Sequence, residues 1–264
     1  MDADSASAED REILHKLMRR SDLRSIFDGY DPARPLSKEE EMLRAVLTNV
    51  PAGEPERTLA AIDRFGWEHW MMNLGDGVKR DKLVELVRAL PEGAVVVELG
   101  GYVGYSATLL ATNAPSKSKV YSIEKHPLCL AIATTVLAHS GLQHKANVLL
   151  GTLTEQIDNL KERIRKDFPG RAPRIDLLFL DHAKEAYASD FVRIKAAGLA
   201  PRVVAADNVI YPGAPDYISM IRADPQYERS EIFKGALEYV SAEERAVGLI
   251  EDGLMVSYRV ANEP

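Results

Sequence analysis

The chain has 264 residues, 46% of them hydrophobic and 28% charged, an ordinary soluble globular mix with enough apolar matter for a sizeable core. Its 33 basic against 40 acidic side chains give a formal charge of −7, the wrong sign for tracking a phosphate backbone, which argues against a nucleic-acid partner. The single cysteine, Cys129, can build neither an intramolecular disulfide nor a thiolate metal site and fits a reducing compartment.

No run reaches the ~18 apolar residues of a membrane span. Residues 1–20 are acidic at the start and helical in pattern, without the basic head and apolar run of a signal peptide, so a cytoplasmic setting is expected. Ser7 with Asp10, and Ser37 with Glu40, have capping-box spacing. Ile13, Leu14, Leu17 and Met18 follow the first, and Met42, Leu43, Val46 and Leu47 the second, all at helical spacing. A turn-rich connector, Gly29–Pro35, separates them. Residues 1–52 are read as a helical N-terminal extension, and 53–264 as the main domain.

Beyond residue 90, β-branched runs alternate with helix-length segments: Val95–Leu99, Val120–Ile123, Asn147–Leu150, Ile175–Leu180 and Val203–Ala206. Leu128–His139 and Asp190–Ala197 are among the helical patterns between them. Near-continuous apolar strands joined by helices predict a doubly wound parallel α/β sheet covered on both faces. After Asp224 the alternation stops, and Ser230–Phe233 and Leu254–Val260 read as an antiparallel pair at one edge.

Two loops could carry chemistry. The first, Glu98-Leu99-Gly100-Gly101-Tyr102-Val103-Gly104-Tyr105-Ser106, follows a strand and opens a helix. Its spacing is not G-x-G-x-x-G, so it suits a nucleotide-like ligand without phosphates, for which S-adenosylmethionine is the obvious choice. Glu124 closes the next strand, where an acid can accept both ribose hydroxyls. The alternative is a plain strand–helix turn. The second constellation is Asp181-His182-Ala183-Lys184 after one strand and Asp207-Asn208 after another. On adjacent strands ~4.8 Å apart, two carboxylates and an amide oxygen converge, a set suited to magnesium. The alternative is helix capping by strand-end acids. The six histidines have no paired metal spacing, Cys129 reads as a buried inert thiol, and Met71-Met72 alone would mean core packing.

These residues resemble the catechol O-methyltransferase family from about Arg57 to Tyr258. The anchors are Trp70-Met71-Met72-Asn73-Leu74-Gly75-Asp76, the glycine loop above, and Ser140-Gly141-Leu142-Gln143. They continue with Phe179-Leu180-Asp181-His182-Ala183-Lys184, Ala206-Asp207-Asn208-Val209-Ile210-Tyr211-Pro212-Gly213 and Leu237-Glu238-Tyr239. The resemblance implies a seven-stranded, mostly parallel Rossmann-like methyltransferase sheet with an antiparallel edge strand. It also implies magnesium-dependent transfer of a methyl group from S-adenosylmethionine to one hydroxyl of a small catechol, by a monomer.

By that resemblance Asp181, Asp207 and Asn208 would hold magnesium, Lys184 would be the general base, and Glu238 would bind the unmethylated hydroxyl. Met72, Leu74, Glu98, Gly100, Tyr102, Ser106, Glu124, Lys125, Thr154, Asp181 and His182 would surround the cofactor. Trp70 and Pro212 would wall the acceptor slot, which Lys184, Asn208 and Glu238 would also line. Three departures stand out. Ala183 replaces a wall tryptophan, Leu153-Thr154 replaces the Ser-Gln pair beside the adenine, and Ser241–Glu251 is an insertion. Two alternatives follow: a bulkier vicinal-diol or phenylpropanoid acceptor, or a noncatalytic S-adenosylmethionine-binding protein.

Overall fold

The computed structural model describes residues 35–239 and 251–260. The Ser7–Asp10 capping pattern, the helix expected after it, and nearly all of the 29–35 connector and the 241–251 insertion lie outside these residues. Three helices come first: α1 (Lys38–Asn49), α2 (Pro55–His69) and α3 (Val78–Arg88). The second capping box is present. The Ser37 hydroxyl accepts from the Glu40 N–H, and the Ser37 N–H donates to the Glu40 carboxylate at 2.7 Å, which satisfies donors the first helical turn leaves unpaired.

The alternating part then runs β1 (Val95–Leu99), α4 (Tyr105–Asn113), β2 (Lys119–Glu124), α5 (Pro127–His139), β3 (Ala146–Leu150), α6 (Leu153–Asp167), β4 (Leu177–Leu180), α7 (Tyr187–Ala196), β5 (Val203–Ala206) and α8 (Pro215–Ala223). It ends in β6 (Tyr227–Ala236) and β7 (Glu251–Arg259). One seven-stranded sheet has the order β3-β2-β1-β4-β5-β7-β6. β1 to β5 pair in parallel, and β7 runs antiparallel to both β5 and β6. The antiparallel pair sits at one edge, as expected, with β7 as its inner member.

The pleat divides the strands between two cores. Val96 of β1 packs with Met42, Leu43 and Val46 of α1, Ile62 of α2, Leu83 of α3 and Leu110 of α4. Val95, Val97 and Leu99 face the opposite layer, with Leu160 and Ile164 of α6, Phe191 of α7 and Tyr217 of α8. All five β1 residues are buried, which is why its sequence is a continuous apolar run with one acid rather than an alternating one. Among the described residues, no helix is long and apolar enough to cross a membrane.

Strand order reverses between β1 and β4, the switch point at which ligands of such sheets bind. Register aligns the ends: Leu99 pairs with Leu180, and Leu180 with Ala206. The Asp181 N–H donates to Leu99 O and the Asp207 N–H to Leu180 O, both at 2.9 Å. The ladder therefore continues one residue past each strand and fixes where both aspartates stand.

Candidate active site

On the β1–β2 side the backbone does most of the building. Gly100 has φ +97°, and a Cβ there would lie 2.3 Å from Asp181 O. Only glycine lets the first loop lie against the end of β4. Glu98 is wholly buried and accepts from the Ser122 hydroxyl. Burial pushes its carboxyl up to about 7, with Ser106 and Ser122 opposing the rise. Its Oε1, and Nδ1 of His182, are buried polar atoms without a hydrogen-bond partner. The other His182 nitrogen lies 3.0 Å from Asp190. Two buried polar atoms left without partners near the ends of β1 and β4 fit a polar ligand there.

Glu124 uses one oxygen for the Tyr102 N–H at 2.8 Å and the other for the His126 N–H at 2.6 Å. Each oxygen keeps a second lone pair, so the carboxylate is oriented by the backbone and can still accept two hydroxyls. The Tyr102 phenol donates to Glu39 of α1 at 2.6 Å, and burial raises its pKa. Ser106 and Leu74 are buried, whereas Met72, Lys125 and Thr154 are exposed. Cys129 is buried, and its thiol is pushed up to about 12, mainly by burial, in keeping with an inert sulfur.

On the β4–β5–β7 side, charged side chains converge. Lys184 donates to Asp181 Oδ1 at 3.1 Å and to the Tyr187 hydroxyl at 2.8 Å. That hydroxyl in turn donates to Leu180 O at 2.7 Å, with Asp207 O at 3.1 Å, so the lysine is tied to the ends of both strands. Asp207 and Glu238 are buried, and burial pushes the Asp207 carboxyl up to about 8, with Lys79 opposing. Glu238 is raised for the same reason and likewise opposed by Lys79. Asp207 Oδ1 is buried and receives no hydrogen bond, although Lys79 Nζ lies 3.0 Å from it.

Sequence reading missed two members of this cluster. Lys79 is 3% exposed and donates to Asp207, Glu238 and Asp252. Burial alone would lower its pKa, but those three carboxylates outweigh that and hold it above the ordinary lysine value. Asp252 is wholly buried. A signal existed for the lysine. Lys79, Leu83, Leu86 and Val87 form the buried face of α3, the i, i+4, i+7, i+8 pattern with a charge in an apolar position. Asp252 gave none, since it adjoins the insertion. It reaches the site because an antiparallel strand enters the sheet at the rim where its parallel neighbours end.

Glu238 is placed by the residue beside it. Tyr239 lies against α2 at Gly66, where a Cβ would sit 2.3 Å from the ring. Its hydroxyl donates to Asp63 at 3.2 Å and accepts from Asn73 at 3.3 Å. Trp70 and Pro212 are exposed, as is Ala183.

Among the described side chains of this cluster, the carboxylates of Asp181, Asp207, Glu238 and Asp252 face the ammonium groups of Lys79 and Lys184. Counted as fully ionised, these groups leave two negative charges, an excess that together with burial holds the Asp207 and Glu238 carboxyls raised and that one dication would offset. The donor types of Asp181, Asp207 and Asn208, all oxygen-bearing, suit a hard divalent ion such as magnesium, whereas the carboxylates whose oxygens lie within 4.8 Å of one another are those of Asp207, Glu238 and Asp252.

A family model for O-methyltransferases matches residues 53–259. Catechol O-methyltransferase of Bos taurus is 36% identical over 206 residues, covering 77% of this chain and 72% of that protein. The Mus musculus catechol O-methyltransferase is 34% identical over 207 residues, covering 77% and 75%. A probable O-methyltransferase of Mycobacterium tuberculosis is 34% identical over 188 residues, covering 70% and 78%. Two solved structures share the fold. One is an O-methyltransferase of Bacillus cereus in complex with SAH, with TM-score 0.57 and 17% identity over 89% of this chain and 96% of that one. The other is TomG of Streptomyces achromogenes in complex with SAM, with TM-score 0.59 and 18% identity over 85% and 99%.

Proposed function

The chain belongs to the O-methyltransferase family and is an S-adenosylmethionine-dependent enzyme; on that premise we propose that its acceptor is a small catechol and that magnesium assists the transfer. The observation that carries the reading is the gathering of four carboxyl groups against two lysines where β4 and β5 end together, one of those lysines being held in place by two partners.

A phenol ionises near pH ~10, so at neutral pH an acceptor hydroxyl holds its proton. Magnesium on Asp181, Asp207 and Asn208 would supply positive charge that makes loss of this proton cheaper. Lys184 is the group placed to take the proton from the reacting hydroxyl. Glu238 accepts from the neighbouring hydroxyl, so two vicinal oxygens are located at once. Trp70 and Pro212 flank the ring. On the other side of the rim, Glu124 takes the ribose hydroxyls, and Glu98 and His182 offer their unpaired atoms to the polar parts of the cofactor. The glycine loop around Gly100, with Met72, Leu74, Tyr102, Ser106, Lys125 and Thr154 around it, completes the cofactor side. Holding donor and acceptor in a near-attack arrangement supplies much of the acceleration.

The test is methyl transfer to catechol against phenol, each with saturating S-adenosylmethionine and magnesium. Catechol should turn over and phenol should not, because one oxygen cannot engage both Lys184 and Glu238. Equal rates on the two acceptors would overturn the vicinal-diol reading. Turnover of a phenylpropanoid diol with none of catechol would move the substrate class to the bulkier acceptor.

A further inference from the structure

Asn208 follows β5 with a left-handed backbone, φ +53°, which asparagine tolerates better than most residues. Its side-chain amide has one oxygen and one nitrogen, and which of them faces the cation decides whether it can be a ligand at all. The Nδ2 group donates to Asp252 at 2.8 Å, with Glu238 Oε1 at 3.5 Å. Both partners are carboxylates, and an ionised carboxylate only accepts. The nitrogen must therefore face them, and the oxygen is the atom turned away.

We infer that Asp252 is the positioning residue of the cation site, holding the Asn208 amide so that its oxygen is the atom offered to the metal. This rests on the magnesium reading above. Asp252 is wholly buried, and both of its oxygens accept hydrogen bonds. Oδ2 accepts from Asn208 and Lys79, and Oδ1 accepts from the Tyr211 N–H at 3.1 Å. The Tyr211 bond fixes the carboxylate itself, because that N–H belongs to the turn that follows Asn208. Lys79 has a second effect: its ammonium offsets the charge Asp252 adds. The site thus gains an orienting acceptor without gaining net negative charge.

Two double variants separate orientation from charge, because both keep the net charge of the wild type. Asp252→Asn with Asn208→Asp exchanges donor and acceptor and preserves the bond between them. Lys79→Met with Asp252→Val leaves the Asn208 amide unheld and also takes from Asp207 and Glu238 the lysine that pairs with them, which by itself would favour cation binding and cannot account for a loss. The readout is manganese(II) titrated into each protein, with free ion followed by electron paramagnetic resonance and folding checked by thermal melts.

The apolar double should bind manganese about 10–100-fold more weakly than the wild type, the usual cost of losing a partner that orients a ligand. The exchanged double should bind no more than about threefold more weakly than the wild type, since its new carboxylate ligand adds charge at the ion. Wild-type-like affinity in a folded apolar double would overturn the inference. So would a folded exchanged double that binds as weakly as the loss expected of the apolar one, and this arm decides if the apolar double does not fold. A wild type that does not take up manganese at all would overturn the magnesium reading itself.

Discussion

On the β1–β2 side of the rim, all the polar groups but His182 come from one stretch of chain, 98–126, and are set by backbone: a left-handed Gly100 against Asp181 O, and two N–H groups on Glu124. On the β4–β5–β7 side, Lys79, Asp181, Lys184, Asp207, Asn208, Glu238 and Asp252 come from five separate segments, and beyond the strand ends that place the two aspartates their side chains are held by ion pairs and hydrogen bonds to one another. The first half is a shape held by the main chain. The second is a balance of charges, in which each group depends on partners distant in sequence. Substitutions should therefore fail differently: by clash and strain in the first half, by lost chemistry in a folded protein in the second.

The largest expected effect falls in the charge-built half. Lys184→Ala should lower kcat by about 10²–10⁴, the usual worth of a positioned acid–base group. S-adenosylmethionine affinity by calorimetry should stay unchanged. Near-normal kcat at neutral pH would reduce Lys184 to a charge-balancing partner of Asp181.

Gly100→Ala probes the other half. The added methyl meets Asp181 O at 2.3 Å on a left-handed backbone. Overpacking costs about 1–3 kcal/mol and the conformation about 1–2 kcal/mol. Urea unfolding should show this loss, together with weaker cofactor binding. A stability equal to wild type would mean that the loop is not held against β4.

Glu98 gives a pH test of the same half. Its carboxyl is raised to about 7 by burial, so between pH ~4.5 and ~7 the folded chain keeps a proton that the unfolded chain has released. Its contribution to stability therefore falls as pH rises through that window and levels off above it. Glu98→Gln should remove the decline and gain up to about 3 kcal/mol relative to wild type between pH 5 and 7.5 in the ligand-free protein. A constant difference across that range would place the titration elsewhere.

The contrast between halves also explains what was legible in the sequence. Glu98, Gly100 and Glu124 could be found because a contiguous loop after an apolar strand states its own geometry. Asp181 and Asp207-Asn208 could be found for the same reason, as strand-end residues, and adjacency of β4 and β5 supplied the rest. Lys79 was hidden because its charge matters only through acids more than a hundred residues away, although its place on the buried face of α3 was visible. Asp252 needed the topology itself, since only pairing of β7 with β5 brings it to the rim. Glu238 came from family resemblance. Its physical support, Tyr239 lodged at Gly66, is a long-range contact that no local pattern announces.

The smallest effect concerns the slot wall. Ala183 is exposed where the family pattern has tryptophan, a side chain that buries ~150–250 Å². With one side open, an asymmetric catechol should give both methylated regioisomers. Ala183→Trp should shift that ratio toward one product, as read by chromatography, provided the ring fits without strain. A one-sided wild-type ratio, unmoved by the substitution, would mean that another group closes the slot.

The separation of the two halves is tested most directly by removing divalent cations while following both at once. Turnover of catechol and calorimetric binding of S-adenosylmethionine are measured before and after chelation, and again with magnesium restored. If the charge-built half holds the cation and the backbone-built half holds the cofactor, turnover disappears and returns with magnesium, while cofactor affinity changes by no more than about threefold. Turnover that survives chelation, or cofactor binding lost with the metal, would contradict it.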